Sequence, residues 1–471
     1  MASGGWSIGY SAWRQRRADI GATVGAGKLR VSPVDPQLAA SPTLHNVHGR
    51  RRFLVVMIAA AALTAACSNE SDGASTTTTA LAAPTTTAAA AGDGILEIGA
   101  VLPGGGAAAD MGVSMRAALT MAADEVNKAG GVNGRPISIV MRDEGDSAAT
   151  ALAAVQDLVN GRADVIIGPT SSLNLLATLS ATVTERVLTC SPTASALSLD
   201  DYPSNGLLLR TVPSDSLQAQ AIARTVDQTG RQSAVVAYLD DAYGRPLADA
   251  VSVALGKQST AVEGTFRFDP GTTPDPTTIG TIAALSPDVV VVVADAVSGP
   301  GIVAAIGAAL PNRLPTFVVN DAMRRPDAAI APYSKGVAAQ IVGVSPLAYT
   351  DDAAFSARLK AVDPAAGGLY AVNAYDCLNL VAIASDIIKS DDARLIAATV
   401  QQVSTGGSSC ATFADCMRVA DEGRNLDYDG PNGVLALDAI GRTTNAKFEQ
   451  FRIDPDTGRD VRRSVITVGN S

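Results

Sequence analysis

From Ile95 onward, short apolar runs alternate with segments that carry apolar residues at helical spacing. That alternation restricts the chain to α/β folds built on parallel sheets. ILEIGAVLP (95–103) reads as a strand ending in Pro103-Gly104-Gly105-Gly106. A helix follows with Ala118, Ala122 and Val126 on one face, and Gly130-Gly131 stops it. Ile137, Ile139 and Met141 alternate as the next strand. A second helix carries Val155, Leu158 and Val159, ends near Asn160-Gly161 and leads into DVIIG, and VLTC is a further short strand. A second set begins after Pro213 with QSAVVAYLD, DVVVVVAD and LPTFVVND. Five consecutive valines, 289–293, suit a central parallel strand covered on both faces. The segment of about 375 residues is large for one core and comfortable for two domains.

Open parallel sheets bind ligands beyond the carboxyl ends of their strands. Here those ends share a composition: GGGAAAD (104–110), GPTSS (168–172), SPTAS (191–195), DDAYG (240–244), DA (295–296) and ND (320–321). Glycines, hydroxyls and single carboxylates suit walls that hydrogen-bond a small polar molecule. Helix N-termini after these turns add N–H groups that favour an anion. A Ser or Thr at any one such turn is more often a helix N-cap than a ligand contact. Six strand ends of this composition favour a binding cleft.

The N-terminal part has a different logic. RRRFLVVMIAAAALTAAC (50–67) has the charged, apolar, small-residue layout of a secretory signal, with an apolar run too short to span a bilayer. Cys67 at the cleavage position resembles the bacterial lipobox, although Thr64 stands where a Leu is usual. An ordinary cleaved signal with Cys67 incidental is the plainer alternative. Arg50, Arg51, Phe53 and Leu54 match the core of twin-arginine signals, with Gly49 in place of the usual Ser. Residues 68–94 are rich in Ser, Thr and Ala, cannot bury enough apolar surface to order themselves, and read as a disordered tether with a root-mean-square span of roughly 30 Å. The upstream extension and signal peptide (1–66) are excluded from fold reasoning.

Of 36 Lys/Arg and 46 Asp/Glu, 8 and 2 precede Cys67, leaving 28 and 44 and a net charge of −16. That balance argues against nucleic acid and anionic lipid headgroups as partners. Both histidines, His45 and His48, precede Cys67. Ser-His-Asp and Cys-His catalysis and a His-ligated zinc site are therefore excluded from the mature chain. No pair of carboxylates stands in a recognisable catalytic context, and neither a metal nor a cofactor is expected. The sequence argues against an enzyme.

The order and spacing of several motifs resemble bacterial extracellular solute-binding proteins of the leucine/isoleucine/valine-binding type, which serve ABC importers. GAVLPGGGAAADMG…GVNGRPISIVMRDE resembles that family's first strand, loop and helix. DVIIGPTSS followed by SP, then LDDAYG, resemble later landmarks, and DYDGPNGVLALDAIGRTTNAKFEQFRID resembles its C-terminal segment. The resemblance covers essentially all of 95–471. It implies a type I periplasmic-binding-protein fold: two Rossmann-like lobes with parallel sheets, joined by three hinge crossings. Lobe one would comprise 95–212 plus 347–431, and lobe two 213–346 plus 432–471.

By the same resemblance, Ser172, with Ser171 beside it, matches a hydroxyl that binds a ligand's α-carboxylate. Ser195 matches a Thr that contacts carboxylate and ammonium, flanked by backbone groups of Thr193 and Ala194. Tyr243 matches an aromatic wall, and Asp321 falls where the family has a Glu that neutralises the α-ammonium. Two departures are that no aromatic stands near Ala296 and Val297, and that Asp321 is one methylene shorter than Glu. The plainer readings are an exposed loop carboxylate for Asp321 and lobe packing for Tyr243. The implied function is a monomeric receptor without enzymatic activity, anchored by lipid on Cys67 to the outer face of the membrane. It would capture a small polar solute, foremost a branched-chain or other amino acid, and deliver it to an ABC permease. A ligand sensor of the same fold, taking an amide, urea or small carboxylate and regulating a partner protein, is the alternative; the tether and the lack of a transmembrane helix after the signal favour uptake.

The four remaining cysteines permit three complete pairings. Cys410 and Cys416 bracket a short segment in an exported chain, where a local disulfide is expected. Cys190 and Cys377 are compatible with free buried thiols and with a second bridge.

Overall fold

A computed structural model describes residues 92–324, 333–433 and 435–469. The signal segment, Cys67 and all but the last residues of the tether lie outside the described residues.

The first half of the chain alternates as the apolar pattern requires: β1 (Glu97–Leu102), α1 (Ala109–Lys128), β2 (Ser138–Asp143), α2 (Ala148–Asn160), β3 (Val165–Ile167), α3 (Ser172–Thr184), β4 (Leu188–Ser191) and β5 (Leu208–Arg210). These strands form one all-parallel sheet in the order β2-β1-β3-β4-β5. Ala118, Ala122 and Val126 of α1 are fully buried. The turn after α1 needs Gly131, since a Cβ there would lie 2.0 Å from the Arg135 carbonyl oxygen. Ser147 opens α2 with a reciprocal capping box with Thr150.

The second set follows: α4 (Asp215–Asp227), β6 (Ser233–Leu239), α5 (Gly244–Lys257), β7 (Ala261–Phe268), α6 (Pro276–Leu285), β8 (Val289–Val293), α7 (Gly299–Ala309), β9 (Thr316–Val319), α8 (Lys335–Ala338) and β10 (Ile341–Pro346). Valines 289–293 form β8, all fully buried, and they alternate between two clusters. Val289, Val291 and Val293 pack with α4 and α5, whereas Val290 and Val292 pack with α6 and α7. A strand covered on both faces buries each valine for about 1.5–3 kcal/mol.

The chain then runs through α9 (Ala353–Val362), α10 (Ala371–Ile388), α11 (Ala393–Val403), β11 (Ser408–Cys410), α12 (Phe413–Asp421), β12 (Leu426–Tyr428), β13 (Asn445–Ile453) and β14 (Asp460–Gly469). Helices α9 to α12 return to the first sheet and complete its core. Helix α10 has the length and mean hydropathy of a membrane span, yet 83% of it is buried inside the protein as the core helix of this lobe. The last two strands join the second sheet, whose order is β14-β13-β10-β9-β8-β6-β7. That sheet is parallel except for the β13–β14 hairpin, which pairs antiparallel onto β10.

The fold is therefore α/β with two lobes, and the core changes lobe at three places: between Leu209 and Leu217, between Val344 and Ala348, and between Leu437 and Ala446. The expected division at 431/432 is too early. Leu435 and Leu437 pack in the first core, and the Gly441 carbonyl still accepts from Arg210 N–H at 3.0 Å.

Both cysteine pairs are bridged. Cys410–Cys416 closes the β11–α12 turn, and Cys190–Cys377 ties the end of β4 to α10 across 187 residues. The choice left open for Cys190 and Cys377 falls on the bridge because β4 and α10 pack face to face in one core, which no local pattern announces.

Candidate functional site

The carboxyl ends of the two sheets face each other across a cavity of about 610 Å³. Lobe one contributes the first turn of α1, the β3–α3 turn, the segment after β4 and the residues before α10. Lobe two contributes the ends of β6, β8 and β9. Ser171, Ser172, Thr193, Ser195, Tyr243 and Asp321 all line this one cavity. Ala194 does not: it is fully buried and its N–H donates to Ser191 Oγ at 3.2 Å. Of the two positions where an aromatic is missing, Ala296 lines the cavity and Val297 points away, 75% exposed.

Existing hydrogen bonds limit what each wall can offer. Ser172 Oγ accepts from Ala196 N–H at 3.2 Å, so its own proton remains to donate. Thr193 Oγ1 spends its proton on the Thr170 carbonyl at 2.8 Å and is left as an acceptor. The helix N-termini differ from expectation, because Ser171 Oγ caps α3 and carboxylates of the protein already take the amides at or just ahead of α3, α5 and α7. Glu144, buried beyond β2, accepts from Thr170 N–H at 2.9 Å, from Ser171 N–H at 3.0 Å and from Asn174 Nδ2 at 2.8 Å. Asp241 Oδ1 accepts from Tyr243 and Gly244 N–H, and Asp295 Oδ1 from Val297 and Ser298 N–H. An anion is therefore left chiefly with the Ser172 hydroxyl and the remaining amides of the first α3 turn, while Ser195 is shared with Asp215.

Asp321 stands at the end of β9, half-buried rather than on an exposed loop. Gln218 Nε2 donates to its Oδ1 at 2.7 Å, and Tyr243 and Tyr370 hydroxyls reach its two oxygens at 3.4 Å. Loss of water raises its pKa, while the Gln218 hydrogen bond opposes the rise. Tyr243 also packs against apolar clusters of both lobes, so its wall and packing roles coincide. Behind these residues, Asp215 opens α4 and is fully buried. Burial first, and the Asp321 charge second, push its pKa up to about 8, with Ser195 and Arg210 opposing. Arg324, whose guanidinium lines the cavity, is held by Glu449 and Asp460 and stacks over Tyr349 and Phe451.

Glu144, Asp215, Gln218, Arg324 and Tyr370 were not anticipated. Glu144 ends a strand as the others do, so the same strand-end signal reaches it. Gln218 lies on a helix face and Tyr370 in a loop, and no local signal marks either. Among the described residues, no three His, Cys, Asp or Glu side chains gather as a metal site.

A periplasmic binding protein family model matches residues 96–453, most of the chain. The chain belongs to that family. A chemotactic signal transduction system substrate-binding protein, BasB, of Halobacterium salinarum is 26% identical over 73% of this chain and 83% of its own length. A Leu/Ile/Val-binding protein, BraC3, of Rhizobium johnstonii is 29% identical over 34% of this chain and 44% of its own. Among solved structures, a leucine-binding protein from Thermotoga maritima superposes with a TM-score of 0.63 at 14% identity, over 79% of this chain and 99% of that one. A Streptococcus pneumoniae branched-chain amino acid binding protein in complex with isoleucine gives 0.60 at 18%, over 80% and 100%. These likenesses establish the type I periplasmic binding fold. Periplasmic binding proteins bind solutes, and the cavity between the lobes is the candidate place for it.

Proposed function

We propose that this periplasmic binding protein captures an amino acid between its lobes and presents it to an ABC permease outside the membrane. The observation that supports this reading is one of charge placement. The hydroxyl residues Ser172 and Ser195 of lobe one and Asp321 of lobe two line a single cavity. A zwitterion would place its carboxylate against the hydroxyls and α3 amides, and its ammonium between Asp321 and the accepting oxygen of Thr193. Closing the lobes dries the site and strengthens each of these bonds. The closed surface would then be read by the permease.

Hydrogen bonds to charged groups contribute about 1.5–3 kcal/mol each, so Asp321→Asn weakens the amino acid roughly 10- to 150-fold. Ser172→Ala costs less, because neighbouring donors remain. Calorimetric titration of both variants with an amino acid found by thermal-shift screening checks this. Unchanged affinity in Asp321→Asn removes Asp321 as the ammonium partner.

The protein is proposed to be held at the outer membrane face as a monomer by lipid on Cys67, with residues 68–94 as tether. Cys67→Ala should then leave the membrane fraction, and a lipid-free mature N-terminus upstream of Cys67 rules the anchor out. A sensory role is the second reading, supported by the likeness to a chemotaxis substrate-binding protein over 83% of its length. Ligand uptake that persists after deletion of the protein, with loss of a ligand-evoked response, would favour sensing.

A further inference from the structure

Lobe two offers the solute more negative charge than an α-ammonium can use. Strands β6, β8 and β9 are neighbours in the second sheet. Each carries an aspartate two residues past its last strand residue: Asp241 after Leu239, Asp295 after Val293 and Asp321 after Val319. Adjacent strands lie about 4.8 Å apart, so these carboxylates form a row along one wall of the cavity. Asp110, on the first turn of α1, adds a fourth from the opposite lobe. The one basic residue lining the cavity among those described, Arg324, already holds two carboxylates, Glu449 and Asp460.

Helix capping accounts for part of this row and leaves its charge over. Asp241 and Asp295 each cap through Oδ1 alone, and no described residue donates to either Oδ2. Asparagine or serine caps a helix as well as aspartate does. A second, independent feature is Asp215. Its fully buried carboxyl, just outside the cavity lining, feels the Ser195 hydroxyl and the Asp321 charge, and both of those residues line the cavity. A cation in the cavity favours the ionised forms of Asp215 and Asp321, which burial otherwise disfavours. Met111, Leu173 and Leu369 supply an apolar face on the lobe-one side, and the small Ala296 leaves room beside Asp295.

We propose that the cavity selects an amino acid whose side chain is an aliphatic stem ending in a second cation, with Asp295 and Asp241 as the carboxylates that receive it. This rests on the amino-acid reading above and narrows it to a basic amino acid. The stem runs along Met111 and Leu173, and the α-ammonium remains with Asp321.

The test is calorimetric titration of the full chain with L-lysine and with L-norleucine, which has the same stem and lacks the terminal ammonium. L-Lysine should bind at least about ten-fold more tightly, with an affinity that falls as salt is raised. Asp295→Asn and Asp241→Asn keep the caps and remove one charge each. Either should weaken L-lysine about ten- to a hundred-fold and leave L-norleucine within about three-fold. L-Norleucine binding as tightly as L-lysine overturns this proposal and leaves the amino-acid reading standing. Binding of neither overturns this proposal, and a thermal-shift screen in which no amino acid binds overturns the amino-acid reading as well. A lysine preference that survives both substitutions overturns the placement of the second cation.

Discussion

Asp215 shows how one residue can couple the site to pH. Its carboxyl, raised to about 8 chiefly by burial, binds a proton more tightly in the folded protein than in the unfolded chain. Such a group stabilises the fold fully below its unfolded pKa near 4, and that contribution is lost as pH rises through 8. Asp376 and Asp164, raised mainly by burial to about 8 and about 7, act in the same direction. Stability of the ligand-free protein should therefore fall between pH 4 and 8. Asp215→Asn should reduce the slope near pH 6 by up to about 1.4 kcal/mol per pH unit, read from denaturant unfolding across pH. An unchanged slope would mean that Asp215 is ionised in the folded state. At this same scale the sequence is informative only where a role is tied to a strand end. Ser172, Ser195 and Asp321 were legible there. Gln218 was not, because it meets Asp321 across 103 residues. Tyr370 was not, because its place depends on a left-handed backbone, φ 53°, just ahead of α10.

The elements divide in the same way. Strands β1, β3, β4, β6, β8 and β9 announce themselves as apolar runs, since each is covered on both sides. Strand β7, AVEGTFRF, lies at the edge with one side in water, and its Glu263 and Arg267 dilute the signal. The β13–β14 hairpin turns an otherwise parallel sheet antiparallel at its other side, which short-range pattern does not convey. Its seating depends on Gly343 in β10. Gly343 pairs with Phe451, and an added Cβ would lie 1.9 Å from the Phe451 ring. That ring also lies beneath Arg324, with 5.0 Å from guanidinium carbon to centroid. Gly343→Ala should cost about 1–3 kcal/mol through overpacking, measured as a lower urea midpoint at unchanged m-value. A wild-type midpoint would show that Phe451 moves aside freely.

At the scale of the whole molecule, the two disulfides differ in reach. Cys410–Cys416 spans 6 residues and Cys190–Cys377 spans 187. By chain entropy, the short loop stabilises by about 2 kcal/mol and the long one by about 5. The double variant Cys190→Ser, Cys377→Ser should therefore lose far more stability than Cys410→Ser, Cys416→Ser, as compared by guanidinium unfolding. Equal losses would point to native-state strain or a structured unfolded chain. Two-lobe architecture was legible from the alternation and length, and the core exchange near Leu437 was not. It depends on which lobe Leu435 and Leu437 reach, not on their own pattern.

The three crossings also set the order in which this protein can come into being. Lobe one lacks its central helix α10 until the chain has passed Ile388, and lobe two lacks β13 until it has passed Ile453. Lobe one therefore cannot complete its core before α10 is made, nor lobe two before β13 joins its sheet.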